Sequence, residues 1–135
     1  MRRSLARLEL AVFEQRPDLR DDLLGVFGDP SVTGKPAGDD IREGKRTLLV
    51  LTALENGNTH QREILTSLLG APGLTEEDLT TAREIIETTG ARDSCEELIA
   101  RSTRDALTAL EGADMDAEGL SALIALAGLA TDRDR

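Results

Sequence analysis

The sequence has no Trp and no Tyr, two Phe, one Cys and one His among its 135 residues. It offers no platform of aromatic rings on which bases could stack. Its 16 Lys+Arg stand against 26 Asp+Glu, a net charge of −10, which makes it a poor partner for nucleic acid or an anionic membrane. His60 and Cys95 cannot furnish a zinc tetrad or a disulfide framework, so any metal held here sits on carboxylates and is a hard cation such as Mg²⁺. Cys95, unpaired, suits a reducing compartment. No run reaches the ~18 apolar residues of a membrane span. The leucines that follow Arg2, Arg3 and Arg7 are broken by Glu9 and Glu14, which leaves no apolar signal core. A cytoplasmic protein is the expectation.

What is present is helical. Leu and Ala dominate, apolar residues recur at helical spacing, and no stretch alternates as a half-buried strand does. The pattern predicts a helix over 4–15 with Leu5, Leu8 and Val12 on one face, interrupted by Pro17, and a second over 18–27. Residues 28–44, with four Gly and two Pro, are expected to be mostly loop. Over 45–55 the run TLLVLTAL implies a helix buried on every side, stopped by Asn56-Gly57. Helices follow over 59–69, from Thr75 as N-cap with Asp78 three residues on, over 92–111, and over 117–130. Their inner stripes are Leu79, Ala82, Ile86 and Thr89; then Cys95, Ile99, Ser102, Ala106 and Leu110; then Leu120, Leu123, Ile124 and Ala127. The expected fold is all-α, a helical bundle of antiparallel neighbours in a single domain over 1–135.

Chemistry concentrates in one stretch. Asp21 and Asp22 sit among Leu19, Leu23 and Leu24, and Asp29, Lys35, Asp39, Asp40, Arg42, Lys45 and Arg46 follow in a Gly/Pro-rich setting. Adjacent carboxylates repel, and a cation relieves that repulsion; lysines from the next loop could then meet a phosphate held by the cation. The plainer alternative is an acidic pair at a helix N-terminus followed by a solvated charged loop, and spacing alone leaves both open. Gly28 to Lys35 is not a P-loop: five residues separate Gly28 from Gly34, Pro36 stands where a Ser or Thr should hold Mg²⁺, and no strand precedes it. Asp114-Met115-Asp116 reads as an N-cap, His60 as a surface or capping residue, Cys95 as a small buried apolar group, and 131–135 as a solvated tail.

The string DDLLGVFGDPSVTGKPAGDDIREGKRTLLVLTALE, from Asp21 to Glu55, resembles the second aspartate-rich region of the trans-polyprenyl diphosphate synthases, which include the farnesyl and geranylgeranyl diphosphate synthases. With the closing LAGLATDRDR, the resemblance extends over residues 18–135. It implies part of an isoprenoid-synthase fold and a prenyltransferase of isoprenoid biosynthesis, in which Mg²⁺ ions between two aspartate-rich motifs ionise an allylic diphosphate for attack by isopentenyl diphosphate. By the resemblance, Asp21 and Asp22 match the Mg²⁺-binding motif, Asp21 the more direct ligand; Lys35 and Lys45 match lysines that contact diphosphate; Asp39 or Asp40 matches a loop aspartate that orders the lysines.

Departures from the family shape the rest. Position 25 is Gly where many members carry the third Asp of DDxxD, and Pro17 and Asp18 stand where the family usually has Phe-Gln. Residues 1–17 diverge, and the first DDxxD motif, the isopentenyl-diphosphate basic residues and the tunnel helices have no counterpart in these 135 residues. The expectation is a truncated prenyltransferase, inactive alone, with apolar faces that favour a homo-oligomer or a hetero-oligomer with a full-length synthase. The alternative is a non-catalytic helical subunit of such a synthase. Prenyl product length is not encoded in the residues present.

Overall fold

The computed structural model describes residues 19–111 and 116–131. Eight helices run through them: α1 (Leu19–Phe27), α2 (Pro30–Thr33), α3 (Asp39–Arg42), α4 (Leu48–Asn56), α5 (Thr59–Leu68), α6 (Glu76–Thr88), α7 (Ala91–Glu111) and α8 (Ala117–Thr131). Among the described residues there is no strand, as the helical periodicity predicts. The expected helix over 4–15, Pro17, Asp114, Met115 and the tail beyond Thr131 lie outside the described residues.

Start signals in the sequence explain where each helix begins. Thr47 caps α4 by accepting from the Val50 amide, so the helix opens at Leu48 rather than at Lys45. Asn58 and Gln61 form a reciprocal capping box on α5, with bonds of 2.9 and 3.0 Å. Thr75 and Asp78 do the same on α6, where Leu74 and Leu79 join the core as a hydrophobic staple requires. Asp116 Oδ1 accepts from the Gly119 amide at 2.6 Å and starts α8, so this acidic residue is a cap, as expected. His60 lies exposed in the first turn of α5, and Asn58 rather than His60 makes its cap.

The core lies around α4, which packs on α1, α5, α6 and α7. Leu48, Leu49, Val50 and Ala53 are buried there against Leu19, Leu23 and Val26 of α1, Leu79, Ala82, Ile85 and Ile86 of α6, and Ala91, Cys95 and Ile99 of α7. Each fully buried leucine or isoleucine contributes about 1.5–3 kcal/mol over its exposed state.

Two expectations are corrected here, and one is refined. Residues 28–44 are mostly loop, as expected, but the loop is punctuated by the single-turn helices α2 and α3. Helix α4 is not buried on every side, because Leu51 is 41% exposed. In α8, Ile124 is 36% exposed and so lies off the inner face. Thr89 ends the α6 stripe half-buried, as its C-cap. The side chains of Ala106, Leu110, Leu123 and Ala127 lie outside the described residues.

Candidate functional site

Leu19, Leu23 and Val26 bury one side of α1, and this turns Asp21 and Asp22 in its first turn outward. Asp21 is exposed and Asp22 half-buried. Arg20, the buried residue just before them, is clamped by Glu96 of α7 through two bonds of 3.0 and 3.1 Å, which ties α1 to α7.

The chain then folds back over α1 in two single turns. Asp29 caps α2 by accepting from the Ser31 amide at 2.8 Å and its hydroxyl at 2.7 Å, and these bonds, side chain first, lower the Asp29 carboxyl below its usual range. Pro30 suits the first turn, since it has no amide to satisfy, and Gly34 closes α2 in the left-handed region at φ 69°. Lys35 follows, exposed and without an ion pair among the described residues. Gly38, at φ 75°, starts α3. Its carbonyl accepts from Ile41 and Arg42, and α3 is braced by Arg42, which donates to the Ala37 carbonyl at 3.0 Å and to Glu76 at 2.8 Å.

Asp40 points inward from α3 and is 7% exposed. Its Oδ1 accepts from Lys45 Nζ at 3.1 Å, and Glu43 Oε2 lies 3.1 Å from the same ammonium. These two carboxylates, Asp40 first, hold Lys45 well above the ordinary lysine range, so it remains charged across physiological pH, while Lys45 in turn lowers Glu43. Just before Lys45, Gly44 is pressed against Gly70 of the α5–α6 turn. A Cβ on Gly44 would stand 3.0 Å from the Gly70 Cα, and the Gly70 amide donates to the Ile41 carbonyl at 2.9 Å. The far end of α1 is held by Arg83 of α6, whose Nε donates to the Val26 carbonyl at 2.8 Å.

The outcome is a cleft of about 510 Å³ lined by Asp21, Asp22, Leu24, Gly25, Val32, Thr33, Lys35, Pro36, Asp40 and Lys45. Five of the six residues singled out in the sequence therefore share one cavity. Asp39, half-buried in the first turn of α3, is not in its lining, so of the two loop aspartates Asp40 is the one beside Lys45. Asp29 lines an adjoining cavity of about 490 Å³ that shares Leu24, Val32 and Thr33 with the cleft, together with Arg20, Glu96 and the Arg92 guanidinium that stacks on Phe27. Arg20 escaped the sequence reading: its partner is 76 residues away, a separation that no local pattern encodes. The segment from Gly28 to Lys35 follows a helix, not a strand, and Gly34 serves as a helix cap, which confirms that it is no P-loop.

Opposite signs meet across this cleft: two carboxylates on α1, two ammonium groups on the folded-back segment. Mg²⁺ is commonly held by one or two carboxylates together with water and phosphate oxygens, and Asp21 with Asp22 is such a donor set. A closed protein cage is a different matter, since among the described residues no three His, Cys, Asp or Glu side chains converge on a metal position.

A helical fold with this cleft defines the class, and comparison places it. Residues 18–86 match the Polyprenyl synthetase family, and the chain belongs to that family. It is 41% identical over 109 residues to a geranylfarnesyl diphosphate synthase of Aeropyrum pernix, covering 78% of this chain and 33% of the relative. It is 35% identical to a geranylgeranyl diphosphate synthase of Mycobacterium tuberculosis, covering 84% of this chain and 31% of the relative. Among solved structures, it superposes on the geranylgeranyl pyrophosphate synthase of Corynebacterium glutamicum, complexed with isoprenyl diphosphate and magnesium, with a TM-score of 0.82 and 42% identity over 88% of this chain. A polyprenyl synthetase of Streptomyces coelicolor gives a TM-score of 0.78 at 32% identity. The chain spans about a third of the length of the relatives it matches, so its helices form part of the all-α isoprenoid-synthase fold. No described helix is long and apolar enough to cross a membrane.

Proposed function

We propose that this chain carries the diphosphate-clamping wall of a Mg²⁺-dependent prenyltransferase that joins isopentenyl diphosphate to an allylic diphosphate. The observation that carries the reading is the single cleft shared by Asp21, Asp22, Lys35 and Lys45. Asp21 and Asp22 would hold Mg²⁺, with Asp21 the more open to it. When bound, the metal neutralises charge on the departing diphosphate. Lys35, with no carboxylate at hydrogen-bond distance among the described residues, swings to phosphate oxygens from the cleft rim. Lys45, already oriented by Asp40, adds a fixed positive charge at the mouth. The Leu24 and Val32 side chains line the cleft and exclude water from part of it, which strengthens both contacts.

One aspartate pair serves one wall, and the 135 residues contain no second DDxxD motif. The isolated chain therefore binds pyrophosphate with Mg²⁺ but does not transfer a prenyl group. Calorimetry with Mg²⁺ and pyrophosphate tests the first half. Lys35→Ala and Lys45→Ala are each expected to weaken binding roughly tenfold, the loss of one charge-assisted hydrogen bond. Absence of Mg²⁺-dependent binding by the unaltered chain overturns the site. Incubation with isopentenyl and allylic diphosphates tests the second half, and any prenylated product overturns the inactivity.

A second reading is that of a non-catalytic helical subunit pairing with a full-length synthase. The exposure of Leu51 on α4, whose Leu48, Leu49, Val50 and Ala53 are buried, favours it. Light scattering of the chain mixed with a full-length synthase decides: a complex supports the pairing, and two unaltered peaks reject it.

A further inference from the structure

Gly25 of α1 lines the cleft without a side chain of its own. On α1 it lies four residues after Asp21 and three after Asp22, so it shares their face. A Cβ built there would fall on top of the Asp40 carboxylate: Oδ2, Cγ and Oδ1 are the three nearest atoms, all far inside contact distance. The Asp40 side chain is 10% exposed and is not free to turn to water without giving up its 3.1 Å bond to Lys45. Even alanine at position 25 thus competes with the Asp40–Lys45 pair.

We propose that Gly25 is a positioning residue for the phosphate-facing lysine: its bare Cα is the seat on which Asp40 rests while holding Lys45 over the cleft. In this chain the glycine leaves that face of α1 open to the Asp40 carboxylate. A carboxylate reaches that face of α1 from α3, with its charge spent on Lys45. In agreement, Asp21, Asp22 and Asp40 do not converge as a three-carboxylate metal cluster among the described residues. The steric part stands on geometry alone; the effect on ligand binding rests on the diphosphate reading of the cleft.

Two measurements test it, both on the full 135-residue chain. The first is a thermal double-mutant cycle over Gly25→Ala and Asp40→Ala. Alanine is a better helix former than glycine, so without Asp40 the Gly25→Ala change raises the melting midpoint. With Asp40 present the same change lowers it, because the carboxylate is driven from its seat. If Gly25→Ala fails to fold alone but folds with Asp40→Ala, the seat is supported. Equal midpoint shifts in both backgrounds, or a double variant that also fails to fold, overturn the proposal.

The second is calorimetry with Mg²⁺ and pyrophosphate. Gly25→Ala is expected to weaken binding by roughly three- to tenfold, and to have no further effect once Lys45→Ala is present, because it acts through that lysine. A Gly25→Ala chain that binds as the unaltered protein does, or a full additional loss on top of Lys45→Ala, overturns the positioning role. If the unaltered chain binds no pyrophosphate, the reading of the cleft fails, and the thermal cycle still decides the Gly25–Asp40 exclusion by itself.

Discussion

Arg20 and Glu96 meet through two hydrogen bonds of 3.0 and 3.1 Å that tie the first turn of α1 to α7. The arginine side chain is 9% exposed and the glutamate 36%, so the two ends of the pair are not equivalent. Glu96→Ala takes two bonds from a buried guanidinium, whereas Arg20→Met leaves a glutamate that water can reach. The expected destabilisation is about 2 kcal/mol for Glu96→Ala and about half of that for Arg20→Met, read by urea unfolding. Equal losses would mean that the pair is solvated at both ends.

Acid should weaken this protein through its helix starts and its cleft rim. Asp29 and Asp78 are lowered by hydrogen bonds to Ser31 and Thr75, and Glu43 by Lys45. A carboxyl that is more acidic folded than unfolded adds stability above its unfolded value and loses it as pH falls through the folded one. The melting midpoint is therefore expected to fall between pH 7 and about pH 3. Asp78→Asn removes one of these groups, and the fall should be smaller in that variant.

Cys95 behaves in the opposite sense. Burial, with the charges of Asp22 and Glu96 behind it, pushes its thiol from 9.0 up to about 11. At pH 8 the folded thiol should react with an aromatic disulfide reagent roughly 100-fold more slowly than the same chain in urea. Between 9.0 and about 11 the unfolded chain releases a proton that the folded chain keeps, so stability declines with rising pH over that window. Similar reaction rates in both states would contradict the burial.

Much of this was legible in the sequence because it is local. The Thr75–Asp78 box, the Asn56-Gly57 stop and the Asp116 cap each depend on residues within one turn. The two single-turn helices at Pro30–Thr33 and Asp39–Arg42 were not legible, because four residues carry no periodicity and the left-handed glycines at 34 and 38 decide them. Leu51 escaped for another reason: in eight consecutive residues almost all apolar, no face is marked, and only the neighbours of α4 settle which side stays bare. At the site, residue types and family resemblance pointed to Asp21, Asp22, Lys35 and Lys45. The contact of Asp40 with Gly25 joins two segments 15 residues apart and exists only once α3 has folded onto α1.

The contact of Gly44 with Gly70 makes the loop and the α5–α6 turn a matched set. A chimera that imports the cleft segment from a relative must import a glycine-compatible turn at position 70 with it, or the lysine next to Gly44 is displaced by a backbone collision. Library design around this cleft therefore has a hidden second locus, some 25 residues downstream in sequence and touching in space.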